Sequence, residues 1–74
     1  MVSEIEFFGM LGKMTKVEPA QMSGETRLRE DLGATSQTMF SICALLERMS
    51  GTSVSYADVN ACDTLGEVLA LTQR

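Results

Sequence analysis

The sequence predicts an all-α fold, a bundle of three longer helices and one short one with a long loop between the first and second. Two observations carry this. Apolar residues recur at three- and four-residue steps in three separate stretches. Each stretch also opens on a residue suited to cap a helix: Ser3, then Thr35 or Ser36, then Asp63 or Thr64. With 74 residues, the chain is expected to make one domain, residues 1–74, with a modest core that depends on helix packing.

The first helix is expected from about Val2 to Lys16, with Ser3 as N-cap. Ile5, Phe8 and Leu11 form its apolar stripe, with Phe7, Met10 and Met14 beside them. Glu4 and Glu6 lie at the positive helix end, and Lys13 and Lys16 near the negative one. Gly9 and Gly12 weaken the helix by up to about 1 kcal/mol each relative to Ala, unless they admit a close neighbour. Residues 17–34 read as a long crossover holding the only proline, Pro19, with Val17, Met22, Leu28 and Leu32 as apolar anchors.

The second helix should run from Ser36 or Gln37 to Met49 or Ser50 and stop before Gly51, which tolerates a left-handed backbone. Met39, Ile42, Cys43, Leu46 and Met49 share its core face, and Phe40 and Ala44 flank it as a candidate contact patch. Val54 anchors the next loop. Ser55 begins a short helix through Val59 to Ala61, and the last helix runs from Leu65 to Gln73 with Leu65, Val68, Leu69 and Leu71 as its apolar surface.

Composition excludes several function classes. So short a chain lacks room for a deep catalytic cleft, and without histidine it has neither an imidazole base nor a His-rich metal site, so no enzyme and no metal are expected. A net charge of −4 with dispersed Lys and Arg disfavours nucleic acid and favours basic protein surfaces. Cys43 and Cys62, nineteen positions apart, match no redox or zinc motif, and reduced buried thiols are favoured over a disulfide. No segment is apolar for long enough to span a bilayer, and the start Met1-Val2-Ser3-Glu4 does not read as a secretory leader, so a cytoplasmic location is expected.

One stretch asks for chemistry. In Glu30-Asp31-Leu32-Gly33-Ala34-Thr35-Ser36 a glycine turn delivers two hydroxyls to a helix start, where backbone N–H groups lack partners. This motif, with Ala44-Leu45-Leu46-Glu47, Val54 and Asp63-Thr64-Leu65-Gly66-Glu67-Val68, resembles the freestanding, fatty-acid-synthase type of acyl carrier protein over essentially the full length. In that family the motif serine is esterified with 4′-phosphopantetheine, an arm whose thiol carries acyl groups as thioesters. The resemblance implies Ser36 as the attachment point, flanked by Thr35 and Gln37. It implies loading by a phosphopantetheinyl transferase, and delivery to acyl-transferring or condensing enzymes of fatty acid or specialised lipid and polyketide biosynthesis. A monomer is expected.

The chain departs from the family pattern where it has Thr35 for the usual Asp and Gln37 for the usual Leu, and where few acids line the second helix. The resemblance therefore implies a specialised carrier with its own partners, met through Phe40, Ala44, Glu47 and Arg48. It also implies shelter for an acyl chain between the second and third helices, lined by Met39, Cys43, Leu46, Val59 and Cys62. Two alternatives stay open: a carrier for aminoacyl or peptidyl groups, and an unmodified interaction module that docks through its second helix.

Overall fold

The computed structural model describes residues 2–73. Five α-helices follow in order: α1 Glu4–Thr15, α2 Leu28–Asp31, α3 Ser36–Ser50, α4 Tyr56–Asn60 and α5 Leu65–Ala70. Single 3-10 turns at Pro19–Gln21 and Leu71–Gln73 complete the list. The expected helix 65–73 is thus α5 continued by a tighter turn. The short α2 lies inside the segment expected to be loop, and four residues are too few to show a helical period. It is fixed instead by buried Leu28 and Leu32 and by Asp31, whose Oδ2 accepts the Arg27 N–H at 2.9 Å.

The caps follow the sequence. Ser3 accepts the N–H of Glu6 at 3.3 Å, and Gly51 ends α3 in the left-handed region at φ 73°. Thr64 opens α5 with a reciprocal capping box. Its side chain accepts from Glu67 N, and Glu67 Oε1 accepts the N–H groups of Asp63 and Thr64 at 2.7 and 2.9 Å. These donors hold the Glu67 carboxyl below its ordinary pKa. Ser55 occupies the cap position of α4 without a side-chain hydrogen bond.

The core joins Phe7, Leu11, Leu28, Met39, Ile42, Leu46, Val59, Leu65 and Val68, all fully buried. One expectation in α1 fails: Ile5 is 84% exposed, whereas Phe7 is buried completely. At about 100° per residue, Phe7, Leu11 and Phe8 form one arc, and Ile5 falls roughly 60° beyond Phe8, outside it. Leu45 is also core, at 3% exposure, although it lay off the expected stripe of α3. Gly12 has the close neighbour its cost required, since a Cβ there would stand 3.0 Å from Pro19 Cγ.

The crossover is stitched to the end of the chain. Leu28 N–H bonds to Asp63 O, Leu65 N–H to Thr26 O, and Gly66 N–H to Gly24 O at 2.9 to 3.0 Å. A Cβ on Gly66 would lie 2.8 Å from Gly24 O, so this approach needs glycine. Arg29 spans from α2 to the α4–α5 turn, donating to Cys62 O at 3.3 Å and to Asn60 O and Oδ1 at 2.9 Å each. These ties fix the DLGATS segment from below and hold the start of α3 in place.

Candidate functional site

Leu32 sinks into the core at the end of α2, and Gly33 turns the chain at φ 66°, a backbone that side chains disfavour. Ala34 N–H then bonds back to Leu28 O at 3.0 Å. The turn delivers Thr35 as the N-cap of α3, and its Oγ1 accepts the Thr38 N–H at 3.2 Å and pairs with the Thr38 hydroxyl at 3.1 Å. Thr35, not Ser36, therefore does the capping. Ser36 becomes the first residue of the helix, exposed, with its hydroxyl uncommitted among the described residues.

The backbone at this end has spare donors. Thr38 N–H is taken by the Thr35 side chain and Met39 N–H by the Thr35 carbonyl, which leaves the N–H groups of Ser36 and Gln37 open. Both lie at the positive end of a 15-residue helix. Gln37 is exposed beside them.

Phe40, one turn beyond Ser36, is 64% exposed and meets Tyr56 across the gap to α4, with ring centroids 6.0 Å apart. Tyr56 was missed in the sequence. Its signal was an aromatic at the first position of the short helix, directly after the cap Ser55. Glu47 is exposed too, but its Oε2 accepts the Val54 N–H at 2.9 Å and so holds the loop between α3 and α4. Ala44 and Arg48, expected to share a surface with Phe40, follow it along α3 by one and two turns and line a cleft against α1.

The five residues expected to shelter an acyl chain are all buried, between 0% and 7% exposed. Cys43 Sγ donates to Val54 O at 3.1 Å and Cys62 Sγ to Asp58 O at 3.3 Å, and neither cysteine forms a disulfide among the described residues. Burial, with the nearby Glu47 carboxylate adding to it, pushes the Cys43 thiol pKa up and keeps it protonated.

The family model described as "phosphopantetheine attachment site" matches residues 7–72 of this chain. The chain belongs to that family. A search of curated proteins found no significant match. Members of the phosphopantetheine-attachment family carry a covalently bound 4′-phosphopantetheine group, and this group is the cofactor of the chain. The helical bundle is the fold expected of such a carrier. Phosphopantetheine carriers are not catalytic themselves; they interact with the enzymes that modify them and with those that handle their acyl groups. No helix among the described residues is long and apolar enough to cross a membrane.

Proposed function

We propose that residues 1–74 act as one acyl carrier domain, that Ser36 bears the phosphopantetheine arm, and that the protein delivers acyl groups to enzymes of fatty acid or specialised lipid and polyketide biosynthesis. It acts as a cytoplasmic monomer and performs no catalysis of its own. The observation that carries this reading is the division of labour at the start of α3. Thr35 caps the helix, so the Ser36 hydroxyl stays exposed and has no partner among the described residues. The N–H groups of Ser36 and Gln37 would be available to hold an ester phosphate on Ser36, at a helix end whose dipole favours negative charge. The bound group supplies a terminal thiol that holds an acyl chain as a thioester.

The chain's own residues do the rest. Phe40 and Tyr56 present an aromatic patch beside Ser36 to the transferase and the acyl-handling enzymes, with Glu47 on the same side. Ala44 and Arg48, farther along α3, extend this contact toward α1. The neutral pair Thr35 and Gln37 and the scarcity of acids along α3 weaken electrostatic steering and select a dedicated transferase and partner set. Sequestering an acyl chain among Met39, Cys43, Leu46, Val59 and Cys62 requires α3 and α4 to part, because these side chains are closed off from solvent. Amide shift changes along both helices on acylation support that opening, and changes confined to Ser36 and its neighbours reject it.

Intact mass after incubation with coenzyme A and a panel of transferases tests the main reading. Gain of one phosphopantetheine increment, absent in Ser36→Ala, is the expected outcome. An unchanged mass with every transferase favours the unmodified docking module instead.

A further inference from the structure

We propose that the groove between α1 and α3, set off from Ser36 but sharing Ala44 and Arg48 with the partner surface described above, is a docking site for an acidic amphipathic helix of a partner protein. The proposal goes beyond the carrier reading and does not depend on it. Two adjoining clefts, of about 440 and 350 Å³, share Met10, Lys13, Leu45 and Arg48 and so form one groove along the antiparallel pair of helices. Its floor is open at Gly9, where nothing lies within 4 Å of the place a Cβ would occupy. Met10 and Met14 line its α1 side, 39% and 41% exposed, and methionines repack readily around a guest. From Glu6 to Met14 the groove follows about 12 Å of helix at about 1.5 Å per residue, the length over which a docked helix presents two or three apolar anchors.

Charge identifies the occupant. The chain carries a net −4, yet Lys13 and Arg48 both line this groove, and neither has an ion pair among the described residues. Two arginines elsewhere are engaged: Arg27 pairs with Glu30 at 2.7 Å and with Asp63 at 3.5 Å, and Arg29 is held by backbone carbonyls and Asn60. Carboxylates on the partner helix, set between its apolar anchors, pair with these cations. Glu6 stands at one end of the groove only and disfavours an acid there, so the partner's carboxylates lie toward Lys13 and Arg48. A basic helix meets two unpaired cations, and an anionic lipid surface is repelled by the remaining acidic surface.

Two synthetic helical peptides with the same leucine stripe, one flanked by glutamates and one by lysines, serve as probes. Each is titrated into the isotope-labelled full chain carrying Ser36→Ala, so that the result is independent of the arm. The expected result is saturable amide shifts at 9–14 and 41–49 with the glutamate peptide, and binding weaker by at least about tenfold with the lysine peptide. The pair Lys13→Gln and Arg48→Gln, with helicity checked by circular dichroism, should weaken the glutamate peptide by about tenfold. Met10→Glu should block it as well. Equal affinity for both peptides overturns the proposal, as do shifts centred on Ser36 and Phe40. Concentration-dependent shifts at the groove without peptide, or binding of anionic vesicles through Lys13 and Arg48, also overturn it by assigning the groove to a second copy or a lipid surface.

Discussion

At the scale of single residues, Gly66 and Glu67 show how local chemistry becomes global stability. Any side chain at 66 collides with the Gly24 carbonyl, so Gly66→Ala should cost about 1–3 kcal/mol and lower the unfolding midpoint in a thermal melt. The Glu67 carboxylate accepts two backbone N–H bonds that lower its pKa in the folded state. Its contribution is therefore present above the unfolded carboxylate pKa and lost as pH falls through the folded one. Urea unfolding at stepped acidic pH should show a shallower loss for Glu67→Gln, which keeps the cap geometry but cannot titrate. Asp63-Thr64-Leu65-Gly66-Glu67 is legible as a capping box in the sequence, because a cap is a contact over three residues. The collision at Gly66 is not, since its partner lies in a loop some forty positions away.

At the scale of elements, α3 is fixed by its cap and α2 by its ties. Thr35→Ala removes the bond to Thr38 N and should destabilise the protein by about 1 kcal/mol, read from chemical denaturation. Arg29→Ala frees α2 from the α4–α5 turn and should cost about 1 kcal/mol, and Arg29→Lys should not restore it, because one ammonium cannot reproduce the fork to Cys62 and Asn60. The long helices α1 and α3 were legible from their periodicity and caps. Helix α2 was not, because its four residues are set by tertiary contacts. The rotation of α1 was misread at Ile5 for a related reason. Three apolar residues at helical spacing define two overlapping faces, and only the packing of Phe7 decides between them.

At the scale of the whole molecule, the smallest dimension is 19 Å, less than two helix diameters, so function sits on the surface rather than in a deep cleft. The start of α3 was legible because DLGATS packs a buried leucine, a turn glycine, a cap and an exposed hydroxyl into consecutive positions. The partition of α3 into two surfaces was not legible. Phe40 faces Tyr56 of α4 while Arg48 faces Lys13 of α1, and neither neighbour is near in sequence. Phe40→Ala should slow transfer to cognate acyl-handling enzymes about tenfold or more while leaving the fold intact, as measured by single-turnover transfer and circular dichroism. The central claim, that Ser36 carries the arm, is tested most directly by fragmenting the tryptic peptide 30–48 of the loaded protein in a mass spectrometer. The phosphopantetheine increment should localise to Ser36; its appearance on Thr35, Thr38 or Ser41 would contradict the account.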